Sequence, residues 1–397
     1  MKKSTDTVSG NTAIQKPTLV AIDTDSGEMV IDQEPILVAV DAGSGNIAVR
    51  FQINEKIQSL MIPARARQGN AQSMALESDT SWETEGDNGE SIVFSVVSTG
   101  KNLVNTCDPS YQISPAHRVM VINALAKMGL GGKNIVLADT LPINQFYSDI
   151  GVINHERIQA KCQSLMTPVK NFSGRFDAPR IVSVKVYPEA ITAYISASVD
   201  ANMQPNPMLE GAENIIIVDL GRFTCDIAEM DKHHQIIARV TTEHGVHLIL
   251  TRVHALIQEN ADELGISEAQ EINIESIDTI IRQGYIGSRL KSQEDKRISI
   301  AHIVRQALIE HADLVSQDIR SVHRNLSDID VIILVGGGAN WLGGKLDYLR
   351  EDFTHNWKAA VYIPDNPEFA NVRGVHIALQ EEEEEQLLSE LNKEKEA

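Results

Sequence analysis

Runs of apolar, largely β-branched residues alternate with helical patterns along the middle of the chain. The run ILVAV at 36–40 is apolar throughout, which is typical of a strand that other elements cover on both faces. Two further buried strands are predicted in NIIIVDL (214–220) and IDVIILV (329–335), and a glycine turn follows the latter. Strands that alternate with helices in this way indicate an α/β architecture.

The helices predicted between these strands carry clear end signals. In SPAHRVMVINALAKMG, Ser114 suits the N-cap, Pro115 the first helical position and Gly129 the C-terminal stop. This helix leads into a predicted strand, NIVLADTLP. The run EAITAYISASV also favours a helix, and 244–326 has a mainly helical pattern.

Both ends of the chain differ from this alternating centre. Residues 1–34 are polar and precede the first strong strand, so we expect a flexible N-terminal arm. At the other end, Glu381–Glu385 form an acidic run that continues into QLLSELNKEKEA, which is helix-prone and well solvated. This tail is either a solubilising extension or a docking segment for a basic partner. The 397 residues in all are enough for two domains with separate cores.

Charge and cysteine content exclude several classes of function. A net charge of −20 repels a phosphate backbone, so direct binding of nucleic acid is not expected. The three cysteines, Cys107, Cys162 and Cys225, contain no CxxC pair and predict neither a disulfide framework nor a zinc site. Without an apolar h-region or a long apolar run, we expect a cytoplasmic chain with no membrane contact.

The most informative feature is a pattern that occurs twice. ILVAV-DAGSG-NIAVRF at 36–51 and NIIIV-DLGRFT-CDIAEM at 214–230 each read as strand, aspartate, glycine-containing turn and strand. Such a turn points several backbone N–H groups into one concavity, which suits phosphate oxygens. One such hairpin alone is weak evidence, because turn conformation explains it better. LVAIDTDSGEMVI at 19–31 repeats the pattern with Asp25 in the place of the turn glycine, and we assign it to the arm.

The aspartates that end the two strands suggest a metal-nucleotide site. Asp41 and Asp219 are suited to hold Mg²⁺ through water, because Mg²⁺ combines carboxylates, retained waters and phosphates. The turn 336–339 follows the third strand, and its small residues would let a base and ribose lie against the backbone; a plain strand-to-helix turn is the alternative. The P-loop, protein-kinase and HExxH motifs are absent from the sequence.

The order of these segments resembles a known superfamily. DAGSGN, LPINQFYS, VYPEA, DLGRFTCDI, EHGVHLI, LVGGGA and FANVRG together resemble the actin superfamily, and most of all the ParM/StbA plasmid segregation family, over about 36–378. The resemblance implies an α/β, actin-like (duplicated ribonuclease H-like) two-domain fold with a nucleotide cleft between the lobes. The parts would be an arm at 1–34, domain I at 35–190 completed by 362–380, domain II at 191–361, and an acidic tail at 381–397.

The resemblance also assigns roles to residues of this chain. Asp41 and Asp219 would organise Mg²⁺ and the attacking water, and Glu189 would position or activate that water. The alternative for Glu189 is a surface carboxylate in the first turn of a helix. Nucleotide contacts are expected from Asp41, Gly43, Ser44, Gly45, Asn46, Asp219, Gly221, Arg222, Thr224, Gly245, Gly336, Gly337, Gly338 and Ala339.

Two positions depart from the pattern of the family. Relatives usually carry a lysine seven residues after the first aspartate, where this chain has Ala48, and ParM-type relatives tend to have glycine where it has Arg222. We hypothesise that the Arg222 guanidinium supplies the positive charge that the first hairpin, at 36–51, lacks. The forked N–H donors of a guanidinium suit phosphate oxygens. The alternative is that Arg222 points to solvent and that nucleotide binding is weaker.

The function implied is that of an ATPase that binds ATP (or ADP) with Mg²⁺ and forms dynamic filaments. Such a protein would segregate plasmid DNA through a DNA-bound adaptor of the ParR type. One alternative is a small-molecule kinase of the same fold. Another is an actin-like scaffold that recruits partners without hydrolysis.

Overall fold

Two five-stranded sheets form the centre of the protein, and each contains one of the predicted hairpins. The computed structural model describes residues 20–22, 29–31, 34–70, 80–233, 235–266 and 272–396. Most of the predicted N-terminal arm therefore lies outside the described residues. The α/β architecture expected from the sequence is confirmed.

The strands are β1 (Val20–Ile22), β2 (Met29–Ile31), β3 (Ile36–Ala42), β4 (Asn46–Ile53), β5 (Lys56–Pro63), β6 (Ala66–Gln68), β7 (Ser81–Glu85), β8 (Ser91–Val96), β9 (Asn134–Leu141), β10 (Val169–Asn171), β11 (Arg180–Pro188), β12 (Ile215–Leu220), β13 (Cys225–Met230), β14 (Ile236–Thr242), β15 (Tyr285–Ile286), β16 (Ile298–Ser299), β17 (Val331–Val335) and β18 (Ala360–Tyr362). The α-helices are α1 (Pro115–Lys127), α2 (Ile143–Phe146), α3 (His155–Met166), α4 (Ile191–Ser198), α5 (His247–Glu259), α6 (Ile274–Gln283), α7 (Ala301–Val322), α8 (Ala339–Leu342) and α9 (Ala370–Glu396).

The first sheet has the strand order β11-β9-β3-β4-β5. Strands β3 and β4 form the first hairpin, with Asp41 opposite Ala48, and β9 runs parallel to β3. Helix α1 covers one face, and its apolar side chains share a core with Val38, Val40 and Val49. As predicted, the Ser114 hydroxyl caps this helix by accepting from the backbone N–H of His117.

The second sheet has the order β14-β13-β12-β17-β18. Strands β12 and β13 form the second hairpin, with Asp219 opposite Asp226, and β17 is parallel to β12. Helices α5, α6 and α7 cover one face. They occupy the region predicted as mainly helical, and the β15–β16 hairpin interrupts it after Gly284.

Two crossing helices connect the sheets. Helix α4 follows β11 of the first sheet and packs on the second, whereas α9 follows the second sheet and packs on the first. The helices approach so closely that a Cβ atom at Gly374 would lie 1.7 Å from the carbonyl oxygen of Thr192. Arg373 donates to the carbonyls of Ser196 and Val199 at the end of α4. Helices α4 and α9 therefore pack together between the two sheets.

Some elements were not predicted from the sequence. The strands β10-β7-β8-β6 form a small four-stranded sheet, and β1 pairs with β2 within the segment assigned to the arm. Helix α9 continues through the acidic run, where Glu382 and Glu383 pair with Lys185 of β11 at 3.1 and 2.7 Å. None of the helices in the described ranges has the length and apolar composition needed to cross a membrane.

Candidate functional site

A cavity of about 800 Å³ lies between the two hairpins. This volume is in the range of sites that enclose a small ligand. Both hairpin aspartates, Asp41 and Asp219, border it together with Glu189. The other predicted site residues that line the cavity are Gly43, Ser44, Gly45, Asn46, Gly221, Arg222, Thr224, Gly336 and Gly337.

Asp41 is the second-to-last residue of β3 and lines the cavity. Its Oδ1 accepts a hydrogen bond from the Thr140 hydroxyl at 2.8 Å. Burial, followed by the charge of Asp219, raises the pKa of Asp41 to about 7. Asp41 and Asp219 also line the same cavity. The aspartates of the two hairpins therefore meet in one site, as the sequence pattern predicted.

Asp219 is the equivalent residue of the second hairpin. Its Oδ2 accepts from the side-chain amide of Asn371 at 2.6 Å. Burial, followed by the neighbouring charge of Asp226, raises the pKa of Asp219 to about 7. Asp226 accepts from Thr224 at 3.1 Å and from Thr241 at 2.5 Å, so its two oxygens are already engaged.

Glu189 reaches the same site from the end of β11. It is 9% exposed, so the alternative of a surface carboxylate is wrong. The helix begins at Ile191, and Ala190 between them has a φ of +65°, a conformation that costs energy for any residue with a side chain. Burial, followed by the charge of Asp41, raises the pKa of Glu189 well above its ordinary value. The strained residue turns Glu189 into the cavity, away from the helix surface.

This group of buried acids fits a divalent cation that keeps water ligands. Asp41, Asp219 and Glu189 share one cavity, and each has a raised pKa because burial and neighbouring negative charge disfavour ionisation. Within the part of the chain that the structure describes, no three Asp, Glu, His or Cys side chains converge to chelate a metal directly. Mg²⁺ suits such a site, because it binds one or two carboxylates together with waters and phosphates.

Arg222 brings positive charge to the same cavity. Its side chain is half-buried and lies against Gly45 of the opposite hairpin, and burial lowers the pKa of the guanidinium. Ala48 faces Asp41 across the first hairpin, so that hairpin places no cation there. Arg65 also borders the cavity and acts electrostatically on Arg222. Arg222 therefore lines the cavity, and contact of its guanidinium with the phosphates stays a prediction.

The third turn lies beside the second hairpin. Gly336 has a φ of +85°, and a Cβ atom there would lie 2.5 Å from the Leu220 carbonyl oxygen, so the turn requires glycine. Gly338, Ala339 and Gly245 were also expected to contact the nucleotide, but they do not line the cavity. Gly338 packs on the Leu220 side chain, Ala339 is fully buried, and the Gly245 N–H donates to the Phe223 carbonyl.

Two family models match consecutive parts of the chain. Residues 36–200 match the N-terminal domain of the plasmid segregation protein ParM, and residues 217–348 match the C-terminal domain of the archaeal, MreB-like actin homologue. Each match contains one of the two aspartate hairpins. Both parts of the chain are therefore similar to domains of actin-like proteins, and the first part is similar to the ParM/StbA proteins.

Solved structures of actin-like proteins share the fold over almost their whole length. An archaeal actin homologue, Ta0583, is 18% identical with a TM-score of 0.63, and the match covers 87% of this chain and 99% of that one. The actin-like protein Alp7A is 12% identical with a TM-score of 0.67, covering 91% and 100%. A 15-stranded ParM filament from Clostridium botulinum is 16% identical with a TM-score of 0.60, covering 88% and 100%.

Ta0583 has also been solved in complex with ADP, with 17% identity and a TM-score of 0.61. At these identities the similarity establishes the fold. A comparison with curated protein sequences finds no match.

Several polar residues of this site were not predicted from the sequence. Thr140 and Asn371 contact the hairpin aspartates directly, and Asp226 lies opposite Asp219. Thr140 lies in the quoted strand NIVLADTLP, where two polar residues interrupt an apolar run just before the strand ends. Polar residues at that place in a buried strand are a usable signal, because they need a partner or a function.

Proposed function

We propose that this chain is an ATPase that binds Mg²⁺-ATP in the cavity and polymerises into dynamic, nucleotide-dependent filaments. The filaments move plasmid DNA through a DNA-bound adaptor protein of the ParR type. The observation that carries the proposal is the meeting of Asp41 and Asp219 in one cavity, each at the end of its own hairpin. The ParM family model over 36–200 and the fold shared with a ParM filament support the assembly.

The residues of the cavity suit phosphoryl transfer to water. Asp41 and Asp219 would hold a bound Mg²⁺ through water, and the cation would supply charge neutralisation of the phosphates. Glu189 orients the attacking water and accepts its proton at the carboxylate. Its raised pKa makes it a stronger proton acceptor than an ordinary carboxylate. Arg222 contacts the phosphates from the second hairpin, where a guanidinium fork suits phosphate oxygens.

Nucleotide drives assembly by closing the lobes. The two hairpins belong to different sheets, so a ligand that contacts both binds the closed form more tightly than the open form. A ligand shifts such an equilibrium only through this difference in affinity. ATP then favours the conformation that adds subunits, and hydrolysis weakens it.

The negative charge of the chain is the reason for proposing an adaptor. At a net charge of −20 the chain repels DNA, so DNA must be contacted by a second, basic protein. A gel-shift titration is expected to show no binding of the chain alone to plasmid DNA. Binding of DNA by the purified chain at physiological salt would contradict this part of the proposal.

Light scattering and pelleting with ATP, ADP and no nucleotide test the proposal. Scattering is expected to rise with Mg²⁺-ATP and then to decay as phosphate is released. The Glu189→Gln variant is expected to pellet with ATP but to release phosphate slowly, so its scattering persists. Failure to pellet at tens of micromolar protein would overturn the filament. Turnover that depends on an added sugar or acetate would identify a small-molecule kinase instead.

A further inference from the structure

A buried ion pair lies directly behind the cavity floor. The Nζ atom of Lys161, on α3, is 2.9 Å from Oδ2 of Asp139, near the end of β9, and both side chains are completely buried. Taking two charges out of water is costly, and such a pair is weak evidence for stability. The groups that this ion pair holds in place are therefore more informative than its contribution to stability.

Its hydrogen bonds all go to residues beside the acids of the cavity. Oδ1 of Asp139 accepts from the backbone N–H of Ala42 at 3.2 Å and from that of Thr140 at 2.9 Å. The Lys161 ammonium donates to the Thr140 carbonyl and, at 2.7 Å, to Oε1 of Gln112. Ala42 directly follows Asp41 in β3. The pair thus fixes the backbone on which Asp41 and Thr140 stand.

These bonds replace a ladder that ends at this point of the sheet. Strands β3 and β9 pair in parallel as far as Ala39 and Ala138, and their register goes no further. Beyond it, the Asp139 carboxylate bridges to Ala42 where a backbone carbonyl would otherwise do so. The Asp139 carboxylate thus links β3 to β9 beyond the last pair of their ladder.

Thr140 connects the ion pair to Asp41 and Glu189. Its hydroxyl lies 2.8 Å from Oδ1 of Asp41 and 3.2 Å from Oε1 of Glu189, so one side chain contacts both. With its N–H, its carbonyl and its hydroxyl all bonded, Thr140 has little freedom to move. The charge of Lys161 also acts on Asp41 and Glu189, opposing the effect of burial by lowering their pKa.

We propose that Lys161, Asp139 and Thr140 form a positioning unit that sets the placement of Asp41 and Glu189 for nucleotide hydrolysis. None of these three residues lines the cavity, so the unit acts through the two acids, which do. This inference rests on the proposed ATPase activity of the cavity. Small displacements of catalytic groups reduce turnover strongly while binding persists, so the unit affects kcat more than nucleotide affinity.

Thr140→Val tests the unit most cleanly, because it keeps the shape of the side chain and removes the hydroxyl. We expect kcat for phosphate release to fall at least about tenfold, with nucleotide affinity within about twofold of the wild type. Thr140→Ser restores the hydroxyl and is expected to keep most of the turnover. The matched control is Thr84→Val, which removes another buried hydroxyl, bonded to the Pro168 carbonyl away from the cavity.

Lys161→Met tests the ion pair in the same assay, with exposed Lys170→Met as its control. A low kcat with retained nucleotide binding is expected for Lys161→Met, and normal kcat for Lys170→Met. If Lys161→Met does not fold, the Thr140 pair still decides the question. Wild-type turnover in Thr140→Val would overturn the inference and leave the ATPase proposal intact, whereas no turnover in the wild-type chain would overturn both.

Discussion

A Cβ atom at Gly45 would lie 2.6 Å from the Cβ atom of Arg222. The two residues belong to the turns of different hairpins, so this contact is a point where the lobes meet across the cavity. Real Cβ atoms do not approach so closely, and therefore any side chain at position 45 must push Arg222 away. The absence of a side chain at Gly45 and the presence of one at Arg222 form a complementary pair.

Gly45→Ala is expected to destabilise the nucleotide-free protein, and Arg222→Gly is expected to relieve that effect in the double variant. Overpacking of a close contact typically costs about 1–3 kcal/mol. Thermal unfolding of the two single variants and the double variant measures the coupling. Gly43→Ala is the control, since its added Cβ would meet the nearest atom, the Asn46 carbonyl oxygen, at an ordinary 3.5 Å. Strictly additive effects would contradict the contact.

Arg222→Gly is also expected to weaken ATP binding about tenfold, or ~1.4 kcal/mol, because it removes the guanidinium that we propose contacts the phosphates. Arg222→Lys keeps the charge without the fork and should fall between the two. Calorimetric titration with ATP and with adenosine checks the cause, since adenosine binding should not change. A loss of ATP affinity no greater than about twofold, under ~0.5 kcal/mol, would show that Arg222 does not compensate for Ala48.

Asn371→Ala is expected to raise the Mg²⁺ concentration needed for half-maximal ATP hydrolysis. The amide of Asn371 donates to Asp219 and is itself held by the Thr192 hydroxyl at 2.8 Å, so its removal frees Asp219 to turn. Loss of about 1 kcal/mol corresponds to roughly fivefold more Mg²⁺. Asn206→Ala is a matched control, because this buried amide donates to the Ala197 carbonyl at the far end of α4. An unchanged Mg²⁺ requirement would contradict the role of Asn371.

His311 predicts a pH dependence of stability. It is buried on α7 with its Nε2 unpartnered, and burial, followed by the charges of His244 and His247, lowers its pKa to about 4. The unfolded chain takes up this proton near pH 6.5, so between pH 6.5 and 4 stability falls as the pH falls.

His311→Leu removes this contribution. From pH 7.5 to 5, the wild type should lose about 2 kcal/mol more unfolding free energy than His311→Leu, as measured by denaturant titration. His302→Leu, an exposed histidine on the same helix, should behave as the wild type does. Parallel pH profiles of the wild type and His311→Leu would contradict the prediction.

The hairpins could be predicted from the sequence because their signals are local. An apolar run, an aspartate and a glycine turn lie within a few residues, and the same order occurs at 36–51 and 214–230. The capped helix α1 was predicted for the same reason. The neighbours of the aspartates could not be predicted, because Thr140 and Asn371 reach them only after distant segments pack together.

Lys161 shows a second limit of sequence reasoning. A lysine on a partly polar helix is ordinarily solvated, and nothing near it in sequence indicates that it is fully buried beside Asp139. Glu189 was expected to be the first residue of a helix, but the positive φ of Ala190 delays the helix to Ile191. Backbone strain of this kind depends on tertiary packing and leaves no mark in composition.

The most direct measurement is a structure of the chain with Mn²⁺ and a non-hydrolysable ATP analogue, in which anomalous scattering locates the metal. We expect one metal peak between the carboxylates of Asp41 and Asp219, with the phosphates against the two glycine turns. A nucleotide bound elsewhere, or a metal peak away from both aspartates, would contradict it.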